Sequence, residues 1–299
     1  MKQRVIAVLG GDMRMHFAAK KLAQLGFDVR EWGRAPTDDA TTFSDIASQW
    51  LADVDVLMLP LPTSLDGIHL HTPFCTGGDR LRIETLLSAA PHAVWLVGRM
   101  NESMRMRAEW ENIRWSDYFD SEILQLKNAL PTAEGAIEIA LHELPVVLDG
   151  TQIAVLGYGR IGEVLSAKLK ALGARPTVYA RRLEACVRAE LAGCQAKRIV
   201  ATPEGGSMLD FDKNIRLIFN TIPSRLLTRS VLMLLPRECI IIDLASAPGG
   251  VEMNAAKELG ISVLWATALP GKCAPESAGI ILAETVHSIL ETIEWPSDF

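Results

Sequence analysis

Three glycines with the spacing Gly-x-Gly-x-x-Gly could hold the pyrophosphate of a dinucleotide. They are Gly157, Gly159 and Gly162, after the apolar run Ile153–Leu156. The first allows a tight turn after a strand, the second lets the backbone approach the pyrophosphate, and the third lets the next helix pack on the strand. The pyrophosphate would bind the free N–H groups at the start of that helix. The predicted cofactor contacts in this turn are Gly157, Tyr158, Gly159, Arg160, Ile161 and Gly162.

Two arginines after the next predicted strand indicate which dinucleotide binds. Arg181 and Arg182 follow the strand Pro176–Ala180, and no acidic residue occurs before Glu184. An acidic residue here would bind the ribose 2′-hydroxyl of NAD, whereas an arginine accommodates a 2′-phosphate. Because guanidinium groups form paired hydrogen bonds with phosphate, we predict NADP(H). The alternative is a solvated pair of surface arginines.

Polar residues also follow the later apolar runs of this region. The carboxyl ends of strands are where open α/β sheets bind ligands. Each of these residues taken alone is typical of a turn or a helix cap, but several such loops beside a glycine turn favour a binding site. The further predicted cofactor contacts are Asn220, Thr221, Ile222, Pro223, Ala245 and Ser246.

The first 100 residues contain a second set of such loops. A glycine turn at a predicted helix start carries Arg14, and two later loops supply hydroxyl groups and Arg99. Arginines and helix N-termini bind carboxylates, so the set would suit a small carboxylate substrate. The alternative is that Asp12 caps a helix and that both arginines are solvated. The predicted substrate contacts are Gly11, Asp12, Arg14, Thr63, Ser64 and Arg99.

Strand and helix patterns alternate along the chain, which is typical of parallel sheets covered on both faces. We therefore predict an α/β protein with two doubly wound, Rossmann-like parallel-sheet domains joined by a helix. Residues 1–129 form the substrate-side domain, and residues 149–274 form the NADP-binding domain. Residues 130–148 form the linking helix, which begins at Pro131. A last helix, 275–293, returns to the first domain. The predicted strands are Val5–Leu9, Phe27–Trp32, Val54–Leu59 and Ala93–Val97, followed by strands at Ile153, Pro176, Ile199, Leu217, Cys239 and Ser262.

Composition excludes several classes of function. The chain has 299 residues, of which 49% are hydrophobic and 22% charged, and its net charge is −6. This balance argues against a nucleic-acid surface, which requires clustered Lys and Arg. Five scattered cysteines suggest free thiols in a reducing compartment, and no His, Cys or carboxylate cluster has metal-ligand spacing. No apolar run approaches the ~20 residues of a membrane span and no signal segment is evident, so we expect a cytoplasmic protein.

The motifs together resemble those of the dipicolinate synthase A-subunit family. The motifs occur in the family's order along nearly the whole chain. No single motif is specific, so the resemblance rests on their combination. The motifs are Gly10-Gly11-Asp12-x-Arg14, Leu130-Pro131-Thr132-x-Glu134-Gly135, the glycine turn at Gly157, Asn220-Thr221-Ile222-Pro223, Asp243-Leu244-Ala245-Ser246-x-Pro248-Gly249-Gly250 and Leu269-Pro270-Gly271-x-x-Ala274-Pro275.

The resemblance implies a specific activity. The chain would be the nicotinamide-binding, dehydrogenase-like subunit that oxidises the cyclic product of dihydrodipicolinate synthase to dipicolinate during sporulation, on a branch of the lysine pathway. It would work with the flavoprotein-like B subunit in the mother-cell cytoplasm of a spore-forming bacterium. The two substrate carboxylates would require two receptors, which Arg14 and Arg99 could supply. The sequence is also compatible with a homo-oligomer.

Two other functions stay open from the residues. D-2-hydroxyacid dehydrogenases use a histidine oriented by a carboxylate, but the corresponding loop Leu269–Lys272 contains no histidine. A protein that binds NADP(H) without turnover is the other alternative, because fold does not determine function. No single residue is indicated for proton transfer, and the candidate catalytic residues are Ser246, Lys272 and Glu134.

Overall fold

The structure is a computed structural model that describes residues 3–33, 48–75, 81–100, 113–201, 207–293 and 295. The chain divides into two compact units. Residues 1–128 and 274–299 form the first unit, and residues 129–273 form the second. The C-terminal helix therefore belongs to the same unit as the N-terminal strands.

The first unit contains a five-stranded sheet in which all pairs are parallel. Its strands are β1 Val5–Leu9, β2 Asp28–Trp32, β3 Val56–Met58, β4 Val94–Val97 and β5 Trp115–Asp117. Their order is β2-β1-β3-β4-β5, the doubly wound order of flavodoxin-like folds. Among the described residues, the helices before the fifth strand are α1 Met13–Gln24, α2 Ser48–Leu51 and α3 Ile83–Ala89, and a 3-10 turn follows at Tyr118–Asp120. The sequence pattern did not predict β5, which is short and ends in polar residues.

Helix α4, Glu122–Glu143, corrects the predicted helix start. The helix begins eight residues before Leu130, and Pro131 lies inside it. The true start signal is Ser121, whose hydroxyl accepts a hydrogen bond from the Leu124 N–H at 3.3 Å. Proline is common in the first helical turn, which is why Pro131 suggested a start. Glu134 consequently lies in the helix interior and does not interact with the positive end of the helix dipole.

The second unit contains a six-stranded parallel sheet. Its strands are β6 Gln152–Leu156, β7 Arg175–Ala180, β8 Gln195–Arg198, β11 Leu217–Asn220, β12 Ile240–Asp243 and β13 Ser262–Trp265, and an antiparallel pair is formed by β9 Val200–Ala201 and β10 Ser207–Met208. The order in the sheet is β13-β12-β11-β6-β7-β8. When β6 is counted as the first strand and the sheet is read from β8, this is the 3-2-1-4-5-6 order of dinucleotide-binding folds. The strand predicted at Ile199 is divided, because Ile199 lies between β8 and β9.

The remaining helices follow the predicted alternation. Most cover the second sheet, and the last belongs to the first unit. They are α5 Arg160–Ala171, α6 Leu183–Leu191, α7 Arg229–Leu232, α8 Met253–Leu259, α9 Leu269–Cys273 and α10 Pro275–Thr292. Within the described residues, none of the helices is long and apolar enough to cross a membrane.

Each sheet is buried between two apolar clusters. In the first unit, Leu9, Leu57 and Trp95 pack on one face. On the other face, Ile6 and Met58 pack with residues of α1 and α10. In the second unit, α4 and α5 cover one face through several alanines and leucines. The opposite face packs against α7 and α8. Burial on both faces explains why the strands are continuous apolar runs.

Helices α1 and α10 cross closely because Gly279 has no side chain. A Cβ at Gly279 would lie 2.5 Å from the Arg14 carbonyl oxygen and 2.6 Å from the Phe17 Cβ. Both atoms belong to a packed helix rather than to a flexible side-chain end. The first unit therefore depends on glycine at this position.

We expect Gly279→Ala to destabilise the first unit by about 1–3 kcal/mol, because the added methyl group overpacks the crossing. Glycine to alanine within an unobstructed helix stabilises by about 0.5–1 kcal/mol, so the predicted sign is opposite. Urea denaturation measures the difference. Ser288→Ala, at an exposed position of the same helix, is the control and should change stability by less than about 0.5 kcal/mol. A Gly279→Ala protein as stable as the wild type would contradict the crossing.

Candidate functional site

The three glycines of the turn after β6 have three different environments. Gly157 has φ +98° and its N–H donates to the Tyr179 carbonyl at 2.8 Å. A Cβ at Gly157 would collide with the Thr221 hydroxyl, and one at Gly162 would collide with the Gly157 carbonyl oxygen. A Cβ at Gly159 would meet no atom within 4 Å. The first and third glycines therefore allow close packing, and the second faces open space, as pyrophosphate binding requires.

This turn lies at the point where the strand order of the second sheet reverses. Strand β6 pairs with β7 on one side and with β11 on the other, and ligands of open α/β sheets bind at this position. Gly159 is the N-cap residue of α5 and forms no side-chain cap. The helix has 12 residues, so its dipole favours an anion at this end.

Asn220 and Thr221 support the turn from the neighbouring strand. The Thr221 hydroxyl donates to the Leu156 carbonyl at 2.9 Å. The Asn220 amide donates to the Asp243 carboxylate at 2.8 Å and to the Ile222 carbonyl at 3.1 Å, and its oxygen accepts from the Ile222 N–H. The Asn220 side chain is fully buried. Its side chain thus positions the loop, and the predicted cofactor contact is not available to it.

Asp243 is the buried centre of this edge of the sheet. One carboxylate oxygen accepts hydrogen bonds from the Asn220 amide and from the Ala245 N–H at 3.1 Å, and the other accepts from the Gly250 N–H at 2.8 Å. The side chain is 2% exposed. A buried carboxylate must be satisfied in this way because unpaired burial is costly. Sequence reasoning did not select Asp243 as a site residue, although an acid at the end of an apolar strand was a usable signal.

In the segment after Asp243, the Ser246 side chain is exposed and, among the described residues, has no role in holding the loop. The Ala245 N–H is bonded to Asp243, and its carbonyl accepts from the Trp265 indole at 2.9 Å. Both backbone groups of Ala245 are therefore used within the protein. Ser246 is exposed, and its carbonyl accepts from the Gly249 N–H in a tight turn. Of these residues, Ser246 is the one with a side chain available to a ligand.

The other residues predicted around the glycine turn differ in exposure. Tyr158 is 5% exposed, and its ring packs in a small apolar cluster under α6. Burial raises the pKa of its hydroxyl. Arg160 is exposed and Ile161 is partly buried, while Pro223 is exposed on the β11 loop. The Tyr158 ring therefore stabilises the unit, and only its backbone stays a predicted cofactor contact.

The predicted 2′-phosphate arginines lie on the surface at the end of β7. Arg181 and Arg182 are exposed, and a guanidinium nitrogen of Arg181 donates to the Ser224 hydroxyl at 2.7 Å. Arg182 is the N-cap residue of α6 and forms no side-chain cap. Within the described residues, neither arginine is in a salt bridge, so their charge is not neutralised by a nearby carboxylate.

The candidate catalytic residues Glu134 and Lys272 are both exposed but differ in their partners. Glu134 forms an ion pair with Lys168 at 2.8 Å between Oε1 and Nζ. Lys272, in α9, lines a groove of about 580 Å³ between α4 and β13. Glu138 and Cys273 line the same groove. Burial, together with the neighbouring Glu138 carboxylate, raises the pKa of the Cys273 thiol to about 11, so this thiol is not a nucleophile at neutral pH.

The glycine turn of the first unit is closed by its own hydrogen bonds. The Gly10 N–H donates to the Trp32 carbonyl at 2.7 Å, and the Gly11 N–H donates to the His71 carbonyl at 2.8 Å. Both glycines have positive φ values, +62° and +83°. The Gly11 N–H is therefore paired within the protein, and contact between Gly11 and a substrate stays a prediction.

Arg14 and Asp12 form a buried pair rather than an open receptor. Arg14 Nε and Nη2 donate to the two Asp12 oxygens at 2.8 and 2.7 Å, and Nη2 also donates to the Leu61 carbonyl at 2.8 Å. Arg14 is 6% exposed. Asp12 also caps α1 by accepting from the Arg14 N–H. The pair joins the loops after β1 and β3, so the solvated alternative for Arg14 is wrong, while capping by Asp12 is confirmed.

Thr63 and Ser64 also serve the loop after β3. The Thr63 hydroxyl donates to the Pro60 and Gly98 carbonyls, and the Gly98 N–H donates back to it at 2.9 Å. Thr63 is fully buried. The Ser64 hydroxyl donates to Asp66 at 3.1 Å and accepts a backbone N–H of the same loop. Both hydroxyls therefore have hydrogen-bond partners within the protein that hold the loop, and their contact with substrate stays a prediction.

Arg99 is the predicted substrate residue that stays exposed, and its backbone is strained. Its φ is +52°, a conformation that costs of order ~1–3 kcal/mol and often marks functional sites. The Asp117 carboxylate holds it in place by accepting from the Arg99 N–H at 2.9 Å and the Met100 N–H at 3.0 Å. The guanidinium lies 5.8 Å from the centre of the Phe119 ring. Sequence reasoning missed Asp117, whose signal was again an acid at a strand end.

In the part of the chain that the structure describes, no group of three or more His, Cys, Asp or Glu side chains could hold a metal ion. The five cysteines are free thiols. The exposed candidate groups are guanidiniums in both units and, in the second unit, a serine hydroxyl, a lysine amine and backbone N–H groups.

Comparisons with known proteins agree with the sequence resemblance. Residues 5–119 match a family model that describes the N-terminal domain of the dipicolinate synthase A chain. The curated A chain of dipicolinate synthase from Bacillus subtilis is 30% identical over 292 residues, which cover 97% of this chain and 96% of that protein.

Solved structures give the same result. The crystal structure of the dipicolinate synthase A chain from Bacillus halodurans is 27% identical with a TM-score of 0.82, over 97% of this chain and 98% of that one. Salmonella D-lactate dehydrogenase is 12% identical with a TM-score of 0.61, over 98% of both chains. This second likeness shows the fold alone; the parallel sheet in each of the two units confirms the prediction of two parallel-sheet domains.

We expect Gly159→Ala and Gly162→Ala to separate ligand binding from folding. Gly159→Ala should fold with a stability within about 1 kcal/mol of the wild type, because its Cβ meets no protein atom and alanine is a weaker N-cap. Its affinity for a nicotinamide dinucleotide should fall at least about tenfold, which is about 1.4 kcal/mol. Gly162→Ala should destabilise the second unit by about 1–3 kcal/mol, because its Cβ meets backbone.

Thermal unfolding and fluorescence titration with NADPH and NADH measure the two effects. Full dinucleotide affinity in Gly159→Ala would show that the turn does not bind the pyrophosphate. Ala167→Gly, in the same helix α5, is a control that alters helix propensity without touching the turn.

Proposed function

The chain belongs to the dipicolinate synthase A-subunit family, and on that premise we propose that it oxidises the cyclic product of dihydrodipicolinate synthase to dipicolinate, with NADP⁺ as the hydride acceptor. The chain is an NAD(P)-dependent oxidoreductase. The observation that carries the proposal is the glycine turn at Gly157, Gly159 and Gly162, placed at the strand-order reversal of a parallel sheet. In a spore-forming bacterium the product would serve sporulation.

The residues at the nucleotide turn fit a nicotinamide dinucleotide. The open space at Gly159 and the start of α5 would accept the pyrophosphate. Arg181 and Arg182, exposed and without salt bridges in the described part of the chain, would accept the 2′-phosphate. The absence of an acid between Ala180 and Glu184 supports NADP(H) over NAD(H), since an acid there would repel the phosphate.

The proposed reaction removes a hydride and a proton from the dihydro compound, which forms when the cyclic product of dihydrodipicolinate synthase, 4-hydroxytetrahydrodipicolinate, loses water. NADP⁺, when bound, would supply the hydride acceptor; the ring proton would go to a protein group or to water, and the gain of aromaticity would favour the oxidation. Ser246 is exposed in the loop after β12, which the hydrogen bonds of Asp243 fix. We propose that Ser246 orients the reacting ring. We also propose that the Lys272 amine, which lines the groove between α4 and β13, assists proton transfer. Glu134 is less suited because it is paired with Lys168.

Arg99 is the proposed receptor for one substrate carboxylate. Its guanidinium is exposed, and Asp117 uses its two oxygens to accept from the backbone N–H groups of Arg99 and Met100. An arginine can bind a carboxylate through two parallel hydrogen bonds. Arg14 is 6% exposed, and its Nε and Nη2 donate to Asp12 and to the Leu61 carbonyl, so Arg99 is the arginine that we propose as a carboxylate receptor.

We expect full activity to require the B subunit of the synthase. The Bacillus subtilis relative is named as one of the chains of a multi-chain enzyme, and a complex with the flavoprotein-like B chain is therefore the proposed assembly. The candidate proton-transfer groups, a serine hydroxyl and an exposed amine, are weak catalysts when unassisted. A contribution from a second chain would explain how the reaction reaches its full rate.

The direct test is reconstitution with substrate made in situ from pyruvate and aspartate semialdehyde by dihydrodipicolinate synthase. We expect dipicolinate and NADPH to appear in equal amounts when this chain is mixed with the B chain, and more slowly with this chain alone. Ultraviolet absorbance of dipicolinate and NADPH fluorescence measure the products. Binding of NADPH without dipicolinate in either mixture would instead indicate a protein that binds NADP(H) without turnover.

The cofactor preference is tested by changing Arg181→Asp and Arg182→Ser together. We expect the affinity for NADPH to fall about 10- to 100-fold, because two charge-assisted hydrogen bonds to phosphate are lost. The affinity for NADH should stay within about twofold, since the 2′-hydroxyl does not need those charges. Fluorescence titration with both nucleotides measures the change. Equal loss of both affinities would contradict the assignment of NADP(H).

A further inference from the structure

A third arginine, Arg198, lies beside the two that the sequence pattern selected. It is the last residue of β8, which pairs in parallel with β7, and Arg198 is level with Ala180 in that pairing. Because both strands run in the same direction, Arg198 lies at the same carboxyl edge as Arg181. Its distance from Arg181 along the sequence concealed this relationship.

Two hydrogen bonds join this edge into one cluster. Arg198 Nε donates to the Arg181 carbonyl oxygen at 3.3 Å. A terminal guanidinium nitrogen of Arg181 donates to the Ser224 hydroxyl, which follows β11, at 2.7 Å. Arg198 is therefore held by Nε, and no described residue accepts a hydrogen bond from its two terminal nitrogens. Ser224, which accepts a hydrogen bond from Arg181, still has its own hydroxyl proton to donate.

Within the part of the chain that the structure describes, no carboxylate balances the charge of the cluster. Arg181, Arg182 and Arg198 are all exposed, and none of the three forms a salt bridge with a carboxylate of the described residues. Other exposed arginines of the second unit do form such pairs: Arg188 with a glutamate of α5, and Arg229 with a glutamate of α8. Three like charges at one edge repel one another, and a dianion would relieve that repulsion.

We propose that Arg198 is a specificity-determining residue that, with Arg181, Arg182 and Ser224, binds the 2′-phosphate of the cofactor. The inference rests on the proposed function, because it assumes a dinucleotide at the Gly157 turn. It extends that function by naming a residue outside the loop that normally selects between the two cofactors. The terminal nitrogens of Arg198 would form paired hydrogen bonds with the phosphate, a geometry that lysine cannot reproduce.

The test compares Arg198→Ala, Arg198→Lys and the control Arg175→Ala. Arg175 is exposed at the opposite end of β7, so it has the same charge on the same sheet but lies at the wrong edge. Dissociation constants are measured by fluorescence titration for NADPH and NADH, and by calorimetry for adenosine 2′,5′-bisphosphate and adenosine 5′-monophosphate. The last two probes isolate the 2′-phosphate from the rest of the cofactor.

For Arg198→Ala we expect about tenfold weaker binding of NADPH and of adenosine 2′,5′-bisphosphate, the loss of one charge-assisted pair. Binding of NADH and of adenosine 5′-monophosphate should change less than about twofold, because neither carries a 2′-phosphate. Arg198→Lys should recover part of the affinity, and the affinity for NADPH should depend less on salt in Arg198→Ala than in the wild type. Arg175→Ala should behave as the wild type with all four ligands.

Three results would overturn the inference, and they can be distinguished. If the wild type prefers NADPH and Arg198→Ala keeps that preference, Arg198 is not part of the phosphate site. If Arg198→Ala loses NADPH and NADH equally, Arg198 only supports the fold of β8. If the wild type itself binds NADPH no better than NADH, the proposed cofactor preference fails, and the role of Arg198 fails with it.

Discussion

The buried Asp243 carboxylate organises the edge of the sheet at which the nucleotide would bind. It accepts hydrogen bonds from the Asn220 amide, the Ala245 N–H and the Gly250 N–H, so it joins segments that are separated along the sequence. Asn220 in turn orders the loop whose first residue, Thr221, fills the space left by the missing side chain of the first glycine of the turn. A charge buried without such partners would be very costly, and this requirement makes the whole arrangement cooperative.

In the first unit, carboxylates also hold the loops at the carboxyl edge of the sheet. Asp12 holds the buried Arg14, and Asp117 holds the strained backbone of Arg99. In both units an acid at the end of a strand or turn accepts two or more hydrogen bonds from groups that would otherwise be unpaired. The consequence for function is that few of the predicted polar side chains stay open. Of the residues predicted for catalysis or for substrate binding, Ser246, Lys272, Glu134 and Arg99 are exposed, whereas Arg14, Thr63 and Ser64 are buried and support loops.

Electrostatics distinguishes the nucleotide edge from the rest of this acidic chain. The protein carries a net charge of −6, yet the carboxyl ends of β7 and β8 present Arg181, Arg182 and Arg198 without neutralising carboxylates among the described residues. Exposed ion pairs contribute little to stability. The stability of the fold therefore does not explain why these arginines lack carboxylate partners. Such a concentration of charge has a physical use when a dianionic group is bound.

The sequence by itself determined the parallel α/β architecture, the dinucleotide turn and the arginines after β7. These features depend on local pattern: apolar strands alternating with helices, three glycines at fixed spacing, and charge within a few residues of a strand end. Only the tertiary structure decided which polar residues are open. Arg14 is bonded to Leu61 and Asn220 to Asp243, partners that lie 47 and 23 residues away. The start of α4 and the position of Arg198 were decided in the same way. Hydrogen-bond satisfaction and strand pairing are properties of distant segments brought together, and no local pattern contains them.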